Sequence, residues 1–481
     1  MKYSLLVTIH VLAAAVVFAQ PPDSLWSRTF GGSFADYCHS VQPTTDGGYI
    51  LGGSTRPAVN AYSDFYLVKT DANGDSEWTR AYGRGDNWRN YGYSVLQTTD
   101  GGYILAGCND RSSEETYSQF GCVRTNAAGD SLWSRAFGTT TGEDFCYSVM
   151  QTADGGYILG GSTLCRDADF RLVKLDGNGD SLWSRTIGSY EGECCHAAEL
   201  TTDGGCVLAG CTYNGSSFDF AVLKTDSNGD SLWSRTYGGS NHEQCYSVQQ
   251  TMDGGYILGG YTNSFGAGGD DFWLVKTDAN GDSLWSRSFG GNGEDMCYAV
   301  EQTMDGGYIL AGCTYSFGSG GADFWLVRTY ANGDSLWSRT FGGSGDDVCY
   351  SVHQMADASY ILAGNTTSFG AGNEDFWLVK TGPDPEAVEL RILQPLSLFL
   401  SASPNPFNPS TEIRYDLAKA ERVSLRVFDL QGREVAVLED GLTEAGTHRV
   451  IFDGGGLASG IYFARLDAGA RSRANKLVLL K

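Results

Sequence analysis

The sequence of 481 residues predicts an all-β chain: a seven-bladed β-propeller closed by an N-terminal strand, followed by a small immunoglobulin-like β-sandwich. Three observations carry this. The chain holds 65 glycines, 26 tyrosines and 11 tryptophans with few helix-favouring stretches, a mix that suits short strands joined by turns. Tryptophan recurs at Trp26, Trp78, Trp133, Trp183, Trp233, Trp285 and Trp337, with spacings of 52, 55, 50, 50, 52 and 52 residues, which marks a repeat array. The two ends of that array are complementary, one with a surplus strand and one lacking it.

The domains expected are a signal peptide over 1–19, the propeller over 23–381, a linker over 382–400 and a C-terminal domain over 401–481. At the start, Lys2 precedes an apolar run from Leu5 to Phe18, and Val17-Phe18-Ala19 offers small residues to a signal peptidase, so cleavage after Ala19 is expected. The run is too short for a membrane anchor and is interrupted by His10, and no other segment reaches transmembrane length.

Within 23–381 the fullest repeat reads Cys245-Tyr-Ser-Val248, Gly255-Tyr-Ile-Leu258, Phe272-Trp-Leu-Val275, then Leu284-Trp-Ser-Arg287. The third segment has no polar residue before Lys276 and reads as a strand covered on both faces; Asn280-Gly281 supplies the hairpin turn that brings the tryptophan strand beside it. Four antiparallel strands in about 50 residues make one propeller blade, which needs a neighbour on each side to bury its faces. The chain enters with an orphan tryptophan strand, Ser24 to Arg28, and the last repeat stops at Phe376 to Lys380 with none. The first strand is therefore expected to complete the seventh blade. The tryptophans are assigned to docking one blade on the next.

Tight Asp-Gly-Gly and Asn-Gly-Asp turns fall on one rim and the long loops on the other, which is the candidate binding face. It collects Asp86, Trp88, Glu143, Asp144, Glu294, Asp295, Asp346 and Asp347. Net charge is −24 and the sequence pI near 4.5, which excludes a nucleic-acid binder and favours a cation or basic surface as electrostatic partner. The Asp278...Gly281...Trp285 pattern and paired glycines resemble quinoprotein-like and kelch-like propellers, where such a tryptophan docks between blades; the spacing departs from the quinoprotein pattern by one residue and implies no quinone cofactor.

After Thr381 cysteine and tryptophan vanish, and residues 397–481 carry 11 Lys and Arg against 10 Asp and Glu, so the acidity belongs to the propeller. Alternating strands recur from Thr411 to the end. Pro404-Asn405-Pro406-Phe407-Asn408-Pro409, Gly432 in Phe428-Asp-Leu-Gln-Gly-Arg-Glu434, Gly460 and Tyr462 in Leu457-Ala-Ser-Gly-Ile-Tyr-Phe463, and the tail Lys476 to Lys481 together closely resemble the type A sorting domain of the type IX secretion system. The resemblance implies the machinery of that system as partner, passage across the outer membrane of a Gram-negative bacterium, and attachment to the surface or release.

Thirteen cysteines in such a chain invite disulfides, and hairpin arithmetic puts Cys195 opposite Cys211 and Cys297 opposite Cys313. No cofactor is implied. Asp278-Ala-Asn-Gly-Asp282 starts like a calcium loop but lacks the distal glutamate, so calcium on the acidic rim is left open and no metal ligand is assigned. Gly229-Asp-Ser-Leu232 resembles an esterase nucleophile block, yet it repeats in blade after blade and no Asp-x-x-His supplies a base. The favoured function is an exported binding scaffold for a glycan or protein; the alternative is an extracellular polymer-degrading enzyme using rim carboxylates such as Glu143, Asp144, Glu294 and Asp295.

Overall fold

The computed structural model describes residues 21–58, 61–83, 88–111, 118–138, 142–163, 168–188, 192–384, 399–403, 405–417, 421–444, 446–469 and 471–480. The expected signal peptide, most of the linker, and Asp86, Pro404 and Lys481 lie outside the described residues. Cα packing divides the chain into two compact units, 1–385 and 386–481.

The first unit holds no helix among its described residues and is built from repeated four-stranded antiparallel sheets, an arrangement consistent with a propeller. Among the described residues seven such sheets are formed, six from consecutive strands and one from Asp347–Gln354, Tyr360–Thr366, Asp375–Thr381 and the distant Ser24–Phe30. Burial follows position in the sheet: in the fifth sheet Tyr256–Thr262 and Asp271–Thr277 are almost wholly buried, while the outer Ser283–Phe289 is partly to fully exposed. Neighbouring sheets share cores. Ile257, Phe272 and Leu274 of the fifth pack on Cys297, Val300 and Leu310 of the sixth, and Ile361, Phe376 and Leu378 of the seventh pack on Cys38, Val41 and Leu51 of the first.

Ser24–Phe30 pairs antiparallel with Asp375–Thr381, placing Trp26 opposite Lys380, Arg28 opposite Leu378 and Phe30 opposite Phe376. That is the register by which Trp285, Arg287 and Phe289 meet Lys276, Leu274 and Phe272 inside the fifth sheet. Backbone bonds between sheets repeat too: the amide of Asp295 donates to Asp270 O at 2.6 Å, Asp347 to Ala322 O at 2.6 Å, and Asp36 to Glu374 O at 2.7 Å.

Every first hairpin contains a β-bulge. Cys245 faces Gly260 and Ser247 faces Gly259, leaving Tyr246 without a partner; the same skip falls at His39, Tyr93, Tyr147, His196, Tyr298 and Tyr350. A bulge turns its extra residue out of the pleat and increases local twist, so these seven side chains leave the sheet faces.

The second unit pairs a three-stranded sheet (Phe399–Ser403, Ser410–Leu417, Gly446–Asp453) with a four-stranded one (Glu434–Thr443, Glu421–Asp429, Gly460–Ala468, Arg471–Leu479). Ile413, Tyr415, Val423, Leu425, Leu466 and Leu477 form its core.

Candidate functional site

The seven bulged residues meet. Their rings form a closed cycle around a cavity of about 400 Å³. Starting at His39, successive centroids to Tyr93, Tyr147, His196, Tyr246, Tyr298, Tyr350 and back to His39 lie 5.0, 5.0, 5.4, 4.9, 5.1, 4.9 and 4.8 Å apart. Burial lowers the imidazoles of His39 and His196 to about 4, so both are neutral at physiological pH. In the sequence this slot is the second residue of the Cys-Tyr-Ser-Val segment, and its convergence was not legible there; the signal was an aromatic ring in all seven copies.

On the long-loop side the links between sheets are wedged between loops. Asn263 donates its amide to His242 O at 2.9 Å, Tyr315 to Glu294 O at 3.0 Å and Thr367 to Asp346 O at 2.9 Å. Three Ser-Phe-Gly loops put Phe265, Phe317 and Phe369 on the surface, 43 to 45% exposed, each against a buried tryptophan: Trp273, Trp325 and Trp377. Tyr315 is half exposed beside Glu294 and Asp346. The sequence-based site omitted these aromatics.

The rim carboxylates divide into two kinds. Glu143, Glu294 and Asp346 are exposed, and Trp88 is half-buried at the start of its strand opposite Arg111. Asp144, Asp295 and Asp347 are instead fully buried, which corrects their assignment as surface ligands. Asp144 pairs with Arg171 at 2.8 Å. Asp295 accepts bonds from Gly291 N and Ser316 Oγ, both 2.8 Å, and from Thr314 Oγ1; Asp347 does the same with Gly343, Ser368 and Thr366. A buried carboxylate with its oxygens engaged anchors loops and cannot serve as acid or base to a substrate on the surface.

The tryptophans face the next sheet. A Cβ on Gly281, whose φ of +79° suits the turn, would stand 2.7 Å from the Trp233 ring, and Gly74 and Gly333 have the same relation to Trp26 and Trp285. Trp78, Trp133 and Trp183 abut Gly129, Gly179 and Gly229 likewise, while Trp337 donates Nε1–H to Asp384 at 3.3 Å. Arginines two residues on reach the following turn, as Arg28 to Asp75 at 2.9 Å and Arg287 to Asp334 at 3.2 Å. The turn aspartate Asp278 is taken up by its own backbone, accepting from Asn280 N and Asp282 N at 2.8 and 2.9 Å. Among the described residues no group of three or more His, Cys, Asp or Glu is placed to hold a metal ion.

The expected disulfides are corrected by the bulge. It shifts the register by one, so Cys195 faces Gly210 and Cys297 faces Gly312, while Cys194 faces Cys211 and Met296 faces Cys313. All twelve described cysteines are free thiols, most of them buried.

In the second unit the proline-rich motif clasps the final strand. Asn405 donates Nδ2–H to Lys476 O at 2.7 Å and accepts from Val478 N at 2.8 Å, and Phe407 exchanges backbone bonds with Val478 and Leu480 at 2.9 and 3.0 Å. Phe407 is buried against Phe452. Gly432 sits at φ +77° in the turn closed by Asp429 and Arg433, Gly460 opens its strand, and Tyr462 donates to Ala458 O at 2.8 Å.

No curated protein matches the sequence as a relative. Among solved structures, PorZ, described as an essential surface component of the type IX secretion system of Porphyromonas gingivalis, is similar at 11% identity and TM-score 0.42, covering 98% of this chain and 61% of that one. A polysaccharide lyase is similar at 11% identity and TM-score 0.46 (77% and 94% covered), and a europium-containing methanol dehydrogenase at 10% and 0.38 (70% and 80% covered). The chain thus spans about three-fifths of the PorZ chain it matches. Residues 401–480 match the family described as the secretion system C-terminal sorting domain. The chain therefore carries a type IX sorting domain at its C-terminal end, the mark of a protein exported to the cell surface or released from it.

Proposed function

We propose that the protein is an exported binding scaffold, a seven-bladed propeller closed by its N-terminal strand, that engages an extracellular glycan or protein through its long-loop face. The observation that carries this is a set of surface aromatics: Phe265, Phe317 and Phe369, each packed on a buried tryptophan, and Tyr315 beside the exposed carboxylates Glu294 and Asp346. Flat apolar rings next to hydrogen-bond acceptors suit stacking on sugar faces and capture of hydroxyls or basic side chains. A rigid base keeps them preorganised, which lowers the entropy cost of binding.

The test is a glycan and polysaccharide array probed with the full chain and with a Phe265→Ser, Phe317→Ser, Phe369→Ser variant, assaying turnover in the same wells. Selective binding by the parent with loss in the variant supports the reading. Equal binding by both refutes this face, and turnover would transfer support to the polymer-degrading alternative.

A further inference from the structure

One rung of one sheet carries chemistry that the long-loop face does not use. Beside each bulge the first two strands bring a pair of residues directly opposite each other: Tyr37 and Ser54, Tyr91 and Cys108, Phe145 and Ser162, Gln244 and Tyr261, Met296 and Cys313, Val348 and Asn365. In the fourth sheet both partners are cysteine, Cys194 and Cys211. Opposed residues of an antiparallel pair have Cα atoms about 4.5 or 5.5 Å apart, and a disulfide takes about 4.4–6.8 Å, so either kind of rung suits a bond without movement of the backbone.

Neighbouring thiols do not compete. Cys195 faces Gly210, fully buried on the other side of the strand, and no other two cysteines face each other among the described strand pairs. The two sulfurs differ in access: Cys211 is 2% exposed, whereas Cys194 is only partly buried. A hydrogen bond between them lowers the Cys194 thiol below its ordinary value and raises that of Cys211, so Cys194 is both the sulfur that ionises and the one an external reagent reaches. Export, marked by the sorting domain, delivers the pair to surroundings in which disulfides form and persist.

We propose that Cys194 and Cys211 are a thiol pair that closes to a disulfide in the exported protein, by exchange with an external disulfide. The Cys194 thiolate attacks one sulfur of that reagent, whose other sulfur leaves as a thiolate and takes up a proton; Cys211 then gives up its proton, and its sulfur attacks Cys194 Sγ and releases the second external thiol. Two cysteine thiols lose two electrons and one external disulfide becomes two thiols. The bond clamps the open end of the hairpin, beyond which only the rung of Glu193 and Thr212 remains, and it stands or falls separately from the long-loop reading. The test exposes the reduced full chain to glutathione disulfide, alkylates the remaining thiols under denaturing conditions and maps the digest, with fragmentation between Cys194 and Cys195 to assign the linked sulfur. The expected result is a link between Cys194 and Cys211 in most molecules, reversed by reductant. Cys211→Ser should hold a glutathione adduct on Cys194, and Cys194→Ser should leave Cys211 unmodified. Alkylation of both thiols in the parent, a link from Cys195 or Cys165 in place of Cys194, or a folded Cys211→Ser variant without an adduct overturns it. Mapping the parent requires no substitution, so a variant that fails to fold leaves the proposal open to refutation.

Discussion

Lys276 is buried in a third strand, yet its amine lies 2.9 Å from Asp253 in the first-hairpin turn and donates to Thr277 O at 2.8 Å. Lys69 with Asp46 and Lys224 with Asp203 repeat the pair at 2.9 Å, and Arg124 and Arg328 occupy the same slot. Lys276→Met should cost about 1–3 kcal/mol by orphaning that carbonyl, and Lys276→Arg much less, read as denaturant midpoints. Burial alone would raise the Asp253 carboxyl, but bonds from Thr251, Lys276 and Gly255 prevail and bring it down to about 2. A carboxylate held below its unfolded value of about 4 contributes stability above that pH and loses it as pH falls toward 2, so Asp253→Asn should flatten the acid limb of the melting curve. Asp271 behaves oppositely. Burial, with repulsion from Asp295 and Asp270, pushes it up to about 6 despite the Ala267 amide. Its folded form holds the proton more tightly than the unfolded chain, so its contribution is present below about pH 4 and lost as pH rises through 6. Asp271→Asn should therefore raise the melting temperature by a few degrees at pH 8 and leave it unchanged at pH 4. The Asp-Gly-Gly aspartate was legible as a turn former; its ion pair was not, because Asp253 and Lys276 lie a strand and a loop apart in sequence.

A strand that belongs to no local hairpin is the most informative element. Trp26, Arg28 and Phe30 occupy the positions that Trp285, Arg287 and Phe289 hold in the fifth sheet, against a third strand more than 340 residues away in sequence. Deleting residues 20–30 should lower the melting temperature of the first unit by roughly 10 °C or more, whereas an unattached terminus would be removed at no cost. In the second unit, Phe407→Ala should cost about 3–5 kcal/mol and reduce the amount of protein reaching the cell surface, measured by whole-cell immunolabelling. The orphan strand could be read from the repeat count because the tryptophan motif is long and distinctive. The bulge could not: it falls on an ordinary tyrosine or histidine instead of a glycine, so the same unmarked residue displaced the cysteine pairs by one and turned seven rings into one cavity.

For the first unit as a whole, several independent features run through the junction between the last sheet and the first as they do through the others. The Asp36 amide reaches Glu374 O, Arg28 reaches Asp75 at 2.9 Å, and His39 touches Tyr350 at 4.8 Å. The architecture was legible because seven copies average out local ambiguity, while the partition of rim carboxylates into anchors and surface groups depends on loop packing that no periodicity encodes. Circular closure by the first strand is the claim on which the assignment of faces and of the cavity depends. Amide hydrogen exchange of Ser24–Phe30 tests it most directly, with Ser283–Phe289 as the internal reference. Closure predicts that the two strands exchange at comparable, slow rates and open together with the sheet; exchange of Ser24–Phe30 at the rate of an unstructured peptide would contradict it.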